Sequence, residues 1–313
     1  MKKVLITGGL GFIGSNLVER LKKDCKIVVV DDLSSSRDDW KEIVERNKEV
    51  EYVESCYADP KILERVASSE FDFVFHIAAV PRVLYSVENP VETTENNVMK
   101  SVMLVHSAVL GKVKRLIFSS SSSVYGGAEV LPTPVDCEKD PKSPYAWHKS
   151  AIEDYIKMST ELYDVDMVSL RYFNVFGPGQ FGGSAYSTAV SAWCHAIKND
   201  LPLRKDGTGE QSRDMCYIDN VVEANVLSMN SKKKFGGECL NVACGERVTN
   251  NEILEFLKAK KPDIKIQKAP FRLGDVMHTQ ADITETQKTL GYKPSVLFWD
   301  GLEKTLEWWG LDS

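Results

Sequence analysis

The run Val4-Leu5-Ile6-Thr7-Gly8-Gly9-Leu10-Gly11-Phe12-Ile13-Gly14 constrains this chain more than any other stretch. A short apolar strand enters a turn whose glycines, Gly8, Gly11 and Gly14, recur every third residue, and helical periodicity follows from Ser15 to Lys23. A tight strand-to-helix turn needs the φ freedom of glycine. The helix N-terminus behind it offers N–H donors and positive partial charge to a phosphate. The next strand signal, Lys26–Val30, ends in Asp31-Asp32. An acid there is placed to accept a bond from a ribose 2′-hydroxyl and to repel a 2′-phosphate, so the pattern predicts NAD and not NADP. Arg37, six residues on, is expected to face solvent.

Strand and helix signals keep alternating. Apolar runs at Lys3–Thr7, Lys26–Val30, Phe71–Ile77, Val113–Ser119 and Val168–Phe173 read as buried strands, and Ser15–Lys23, Ile62–Ser69 and Pro90–Leu110 have helical spacing. That order predicts an α/β fold, a Rossmann-like doubly wound parallel sheet covered on both faces. After Gly177-Pro178-Gly179 the pattern loosens, and a smaller C-terminal lobe is expected to begin near there.

A length of 313 residues, 43% hydrophobic and 27% charged, suits one large or two intimate domains with an ample core. The net charge of −6 excludes a bulk basic field for nucleic acid or anionic membrane. Lys232-Lys233-Lys234 runs into Gly236-Gly237 and reads as a solvated loop. Seven cysteines without a C-x-x-C pair argue against a disulfide framework or a metal site and for a reducing compartment, hence the cytoplasm. The apolar stretch behind Met1-Lys2-Lys3 is too short for a secretory segment, and no run of 18 apolar residues suggests a membrane span.

The chemistry is carried by Tyr145 and Lys149, in Ser143-Pro144-Tyr145-Ala146-Trp147-His148-Lys149, 24 residues after Ser121. Positions i and i+4 share a helix face. An ammonium beside a phenol is expected to lower its pKa, giving an acid–base group that works near neutral pH. With a dinucleotide turn upstream, this describes hydride chemistry at a nicotinamide with a tyrosine base. His148, on another face of the same helix, is expected to be a surface or packing residue.

These residues fall in a longer series of motifs. The chain resembles the extended short-chain dehydrogenase/reductases, specifically the nucleotide-sugar epimerases and dehydratases. The resemblance rests on the Gly8–Gly14 turn, His76-Ile77-Ala78-Ala79, Asn97, Ser121-Ser122-Ser123-Val124-Tyr125-Gly126 and Tyr145-x-x-x-Lys149. It continues through Arg171-Tyr172-Phe173-Asn174-Val175-Phe176-Gly177-Pro178, Ser212-Arg213-Asp214, Asp219-Asn220-Val221-Val222 and Arg272-Leu273-Gly274-Asp275. The resemblance implies a catalytic set of Ser121, Tyr145 and Lys149. It implies NAD contacts from Gly8, Gly11, Phe12, Ile13, Gly14, Asp31, Ala78, Ala79, Asn97, Tyr145, Lys149 and Tyr172. It further implies a UDP-sugar site formed by Ser121, Ser122, Asn174, Arg213, Arg272, Asp275 and Thr279, in which the arginines match a diphosphate.

On the same resemblance, residues 1–175 form the NAD-binding part with a return segment near 214–245, and 176–313 are mainly the sugar-nucleotide lobe. A homodimer is implied through Pro90–Leu110 and Ala146–Tyr163. The 4,6-dehydratases of this family carry Thr-Asp-Glu where this chain has Ser121-Ser122-Ser123, and serine hydroxyls have no pKa suited to removing water. The adenine-binding Asp of the family is replaced by Cys56, so backbone groups or Asp59 must serve instead. Thr279 stands where a bulky tyrosine can limit 4-epimerases to glucose and galactose, and it leaves room for an N-acetyl group at C2.

The expected reaction is reversible C4 epimerisation of a UDP-hexose, UDP-GlcNAc/UDP-GalNAc or UDP-Glc/UDP-Gal, through a 4-keto sugar. The alternatives are a UDP-glucuronate 4-epimerase, for which Arg82 would be the candidate cation near C6, a 4-keto-sugar reductase, and a catalytically silent nucleotide-sensing protein of the same fold. The intact Ser121, Tyr145 and Lys149 argue against the last.

Overall fold

The computed structural model describes residues 1–127, 129–183, 187–271 and 276–311. Its first half alternates β1 (Lys2–Thr7), α1 (Phe12–Leu21), β2 (Cys25–Asp31), α2 (Trp40–Arg46), β3 (Glu51–Glu54), α3 (Pro60–Ala67) and β4 (Phe73–His76). Two short helices, α4 (Val83–Glu88) and α5 (Pro90–Thr94), lead through a π-helical turn (Glu95–Met99) into α6 (Lys100–Leu110). Then come β5 (Arg115–Ser121), a 3₁₀ turn (Ser122–Tyr125), the long α7 (Pro144–Tyr163) and β6 (Met167–Tyr172).

The later elements are shorter: β7 (Val175–Phe176), α8 (Ala189–Lys198), β8 (Leu203–Asp206), β9 (Ser212–Arg213), β10 (Cys216–Tyr217) and α9 (Ile218–Asn230). After them come β11 (Gly236–Val242), β12 (Val248–Thr249), α10 (Asn250–Lys260), β13 (Ile266–Ala269), α11 (Thr284–Leu290) and α12 (Phe298–Trp309).

Seven strands form one parallel sheet in the order β11-β6-β5-β4-β1-β2-β3. The β-branched and aromatic runs of β1, β2 and β4 are buried on both faces, as a parallel sheet requires. One apolar layer joins α1 and α9 to Ile6, Val29, Phe75 and Leu170, and a second joins α3, α6 and α7 to Leu5, Val74, Phe118 and Met167. The chain leaves β1 towards β2 and β3 on one side, and returns through β4 to β5 and β6 on the other. Such a reversal of strand order opens a crevice at the carboxyl ends of the strands, where ligands of open α/β sheets bind.

Two expectations are corrected. Pro90–Leu110 is not one regular helix but α5, the π-helical turn and α6. The wide turn contains Asn97, whose side chain is bonded to the loop after β4; insertions of this kind recur at functional sites. Arg37 does not face solvent. Its side chain is 11% exposed, it pairs with Asp39 at 2.6 Å, and Nη1 lies 3.4 Å from Ser15 Oγ. A Cβ on Gly179 would stand 2.1 Å from that guanidinium, so the group is packed between α1 and the Gly177-Pro178-Gly179 turn.

Candidate active site

The glycine turn leaves β1 at the carboxyl edge of the sheet. Gly8 has φ +70°, and a Cβ there would meet Ala78 N and Cα at 2.9 Å. At Gly14 a Cβ would lie 2.1 Å from the Gly8 carbonyl oxygen. Gly11 differs, because the protein leaves room: the nearest atoms to its Cβ would be Gly8 O at 3.4 Å and Ser35 O at 3.9 Å. Gly11 is the N-cap of α1, no side chain caps the helix, and no acid stands in its first turn. The N–H groups of Phe12 and Ile13 therefore have no intrahelical partner. An uncapped, cation-like helix end behind a glycine-lined hollow fits the diphosphate of a dinucleotide.

Asp31, at the end of β2, is 8% exposed. Its Oδ2 accepts from Leu10 N at 2.9 Å, and its Oδ1 accepts from Leu33 N and Ser36 Oγ, each at 2.9 Å. The carboxylate thus ties the glycine turn to the loop after β2, and Oδ2 keeps a lone pair for a ribose hydroxyl. At the adenine end, Cys56 Sγ accepts from Ala58 N at 3.5 Å, and Asp59 caps α3 through Lys61 N at 2.9 Å.

Ala78 and Ala79 follow β4 on the other side of the crevice. Ala78 N donates to Thr7 Oγ1 at 3.2 Å, Thr7 Oγ1 pairs with His76 Nδ1 at 2.9 Å, and His76 Nε2 pairs with Ser101 Oγ at 2.8 Å. Burial pushes His76 down to about 3, so it is neutral and holds this loop by hydrogen bonds alone. Asn97 accepts from Val80 N at 2.8 Å and donates to Val80 O at 3.1 Å. Tyr172 places its hydroxyl between Ser119 Oγ (3.1 Å) and Asn225, in the layer under α9. The side chains of Asn97 and Tyr172 thus brace the frame around the crevice.

Ser121 ends β5, and Tyr145 and Lys149 stand one turn apart on α7, which begins at the same edge. Ser143 Oγ accepts from Ala146 N at 3.2 Å and Pro144 takes the first helical position, both favoured at a helix start. Ser86 Oγ, from α4, accepts from Tyr145 N at 3.1 Å, a support that nothing in the sequence spacing marks. Lys149 is buried; its Nζ donates to Ser119 O at 2.6 Å and lies 5.8 Å from the Tyr145 ring centre.

The expectation that Lys149 brings the phenol towards neutral pH is not met by the chain alone. Burial pushes Tyr145 up to about 12, opposed by the Ser121 hydroxyl, and burial pushes Lys149 down to about 7, opposed by Glu153. Desolvation disfavours the charged form of both groups and here outweighs their attraction. His148 is fully buried and bonded to Thr94 Oγ1 at 2.9 Å, which makes it a packing residue.

Facing this set, Ser122 opens the 3₁₀ turn after β5, and Ser123 Oγ is buried with no partner. Asn174, at φ +30°, donates to Asp214 O at 3.0 Å and to Thr279 Oγ1 at 3.1 Å, and Asp214 N donates to the same hydroxyl at 3.3 Å. Asn174 and Thr279 are thus direct neighbours although 105 residues separate them. Arg213 Nη1 donates to Ser212 O at 3.0 Å and Met277 O at 3.2 Å. Arg272 and Asp275 lie outside the described residues.

The sequence marks Asp214 only as part of Ser212-Arg213-Asp214 and assigns it no role. It is fully buried and accepts from Cys244 N, Gly245 N and Ala281 N at 2.9–3.0 Å. It stitches three loops under the site, and burial pushes it up to about 7. Its partners are backbone groups of distant segments, which no local pattern announces.

The comparisons agree with this geometry. Residues 4–243 match the model of the NAD dependent epimerase/dehydratase family. The UDP-glucose 4-epimerase of Mycolicibacterium smegmatis is 33% identical over 309 residues, 97% of each chain. The structure of UDP-N-acetylglucosamine 4-epimerase from Methanobrevibacter ruminantium M1, in complex with UDP-N-acetylmuramic acid, superposes with a TM-score of 0.92 at 35% identity, over 100% of this chain and 99% of that one. The UDP-glucuronic acid 4-epimerase of Bacillus cereus, in complex with UDP-glucuronic acid and NAD, gives 0.90 at 27% identity over 98% and 99%. With its glycine turn, its Tyr-x-x-x-Lys helix and the match along most of its length, the chain belongs to the NAD dependent epimerase/dehydratase family.

Proposed function

We propose that this chain is an NAD-dependent UDP-sugar 4-epimerase, inverting C4 of a UDP-hexose through a 4-keto sugar. The observation that carries the reading is Tyr145, beside Ser121 and one turn from Lys149, on the same edge of the sheet as the uncapped glycine turn. NAD, when bound, supplies the hydride acceptor and donor. The glycine turn, Asp31 and the Ala78-Ala79 loop hold it, and Lys149 reaches its ribose. Ser121 orients the 4-hydroxyl and Tyr145 takes its proton as C4 gives up hydride; once the keto sugar has turned, C4 takes hydride back on its other face and Tyr145 returns the proton to the C4 oxygen. Serines at 122 and 123 leave no acid pair for removing water. Asn174 and Arg213 bind the diphosphate together with Arg272, and Asp275 binds the nucleotide ribose. Residues 1–175 with the return segment near 214–245 serve the cofactor, and 176–313 mainly the sugar nucleotide.

Thr279 sets the substrate class. Its hydroxyl accepts from Asn174 and Asp214, and its small side chain leaves space at C2, so both N-acetylated and plain hexoses enter. The test is incubation with UDP-GlcNAc, UDP-glucose and UDP-glucuronate without added NAD, followed by product NMR. C4 epimers of the first two are expected. Turnover of UDP-glucuronate alone would make this a glucuronate epimerase, a stoichiometric demand for reduced cofactor would make it a reductase, and no product from any sugar would sink the reading. In the same assay Thr279→Tyr should overpack C2. Overpacking costs about 1–3 kcal/mol, or about one to two decades in the UDP-GlcNAc over UDP-glucose ratio of kcat/KM. Equal losses on both sugars would show that residue 279 does not gate C2.

We further propose a homodimer in the cytoplasm. Val91, Met99, Met103 and Leu110 are exposed along α5–α6, and Trp147, Met158 and Leu162 along α7. The two rows meet where the His106 and Tyr163 rings approach to 6.3 Å. These exposed apolar side chains support an interface on this face. Sedimentation at micromolar concentration should give twice the mass of the chain; a monomer there would reject the assembly. All seven cysteines are free thiols, as a reducing compartment allows, and among the described residues no helix is long and apolar enough to cross a membrane.

A further inference from the structure

The groups proposed to carry the reaction lie on two elements, Ser121 on β5 and Tyr145 and Lys149 on α7. One buried carboxylate joins those elements. Glu153, one turn beyond Lys149, is 2% exposed. Its Oε1 accepts from Ser120 Oγ at 2.6 Å and from Arg171 Nε at 2.8 Å, and its Oε2 accepts from Arg171 Nη2 at 2.8 Å. Lys139 Nζ stands 3.7 Å from Oε2. Arg171, itself buried on β6, spends Nη1 on Tyr125 OH at 2.7 Å and Val135 O at 2.8 Å. The helix of the base, the strand of Ser121, the strand beside it and the turn beyond are thus tied at a single ion pair. A bidentate arginine fork fixes direction as well as distance.

We propose that Glu153, held by Arg171 and Ser120, is a positioning residue of this reaction: it sets α7 against β5 and supplies the negative charge that favours the ammonium form of Lys149 beside Tyr145. The proposal rests on the reading of Tyr145 as the base. Residues four apart share a helix face, which puts the carboxylate on the side of Lys149. Lys149 needs such a charge because burial opposes its ionisation, and Glu153 is the group that counters it.

The other groups around the pair are His76 on β4, His148 on α7, Tyr125, Tyr172 on β6, Arg171, Lys139 and Cys239 on β11. Burial holds both histidines neutral, at about 3 and about 4, and pushes Tyr125, Tyr172 and Cys239 up to about 12. Arg171 stays charged. None of these shifted groups changes charge near neutral pH; Asp214, pushed up to about 7, is bonded to the Cys244, Gly245 and Ala281 loops and not to this cluster, so a limb that moves with Glu153→Gln reports on Lys149 and Tyr145.

The test uses the NAD-loaded enzyme. Glu153→Gln keeps a side-chain oxygen for Ser120 and removes the charge. With less negative charge nearby, Lys149 loses its proton more easily, and a neutral amine stabilises the phenolate less. Tyr145 should therefore titrate higher, by about one unit or more, with about tenfold lower kcat at neutral pH and KM within about threefold. The rising limb of the kcat profile should move to higher pH, and Glu153→Asp, which keeps the charge, should restore most of it.

The phenol is followed by NMR of protein labelled at the tyrosine ring carbon, with Tyr145→Phe to assign the signal. This readout needs no substrate. If the wild type turned over no UDP-sugar, the epimerase reading would fall while the titration still decided the role of Glu153. A uniform loss at every pH with an unmoved Tyr145 would overturn the proposal. Should Glu153→Gln not fold, Ser120→Ala removes one of the two bonds that Glu153 Oε1 accepts and leaves the ion pair. It should lower kcat severalfold with NAD retained, and an unchanged kcat would overturn the proposal as well.

Discussion

Replacing Tyr145 with phenylalanine is expected to lower turnover by about 10²–10⁴-fold, the usual contribution of a positioned acid–base group. The ring stays, so its place beside Lys149 and the Ser86 bond to its backbone stay with it. The hydroxyl is what goes, and with it the group beside Ser121 that can take the 4-hydroxyl proton. Melting temperature and retained cofactor should match the wild type, because no bond of the glycine turn, Asp31 or the Ala78 loop involves that oxygen. The native phenol carries a cost that phenylalanine lacks: burial pushes Tyr145 up to about 12, so it enters the site as a neutral acid and must be drawn towards ionisation by the loaded site. Activity within about threefold of the wild type would mean that another group moves the proton.

Alanine at Gly14 and at Gly11 should separate the fold of the glycine turn from its use. At Gly14 the new Cβ meets Gly8 O at 2.1 Å and Gly9 Cα at 2.7 Å, and both are backbone atoms that cannot swing aside. Gly14→Ala should therefore lower the melting temperature of the cofactor-free chain and weaken NAD together. Overpacking of about 1–3 kcal/mol corresponds to about one to two decades in affinity. At Gly11 the Cβ fits the protein, with 3.4 Å to its nearest neighbour, but it stands at the mouth of the hollow before α1. Gly11→Ala should leave the cofactor-free melting temperature nearly unchanged and still reduce the NAD that co-purifies, read from absorbance after gel filtration. If Gly11→Ala kept its full complement of NAD, the diphosphate would not lie against that turn.

Much of the frame was legible because it is written in short-range terms. Apolar runs of the right length became β1, β2, β4, β5 and β6, each within two residues of its expected ends. The glycine turn could be read because a strand, a turn and a helix are contiguous in the chain. Tyr145 and Lys149 could be paired because helical geometry alone brings them together.

What failed was of another kind. The break in Pro90–Leu110 follows from where Asn97 meets Val80, a contact made only once β4 is in the sheet. Arg37 was expected in solvent, since nothing local shows that Asp39, Ser15 and the Gly179 turn would close around it. The phenol's acidity was misjudged because charge proximity could be counted along a helix, whereas burial could not.

By itself, then, the sequence determined the parallel sheet, the dinucleotide turn at its edge and the helix that presents a tyrosine and a lysine on one face, because each depends on residues a few positions apart. The tertiary structure decided the rest. It set Asn174 against Thr279, placed Asp214 under three loops, and joined Glu153 of α7 to Ser120 of β5 and Arg171 of β6. Those contacts bring together segments up to 105 residues apart. Their strength comes from the exclusion of water around buried charge and hydrogen bonds, a property that exists only after the chain has packed.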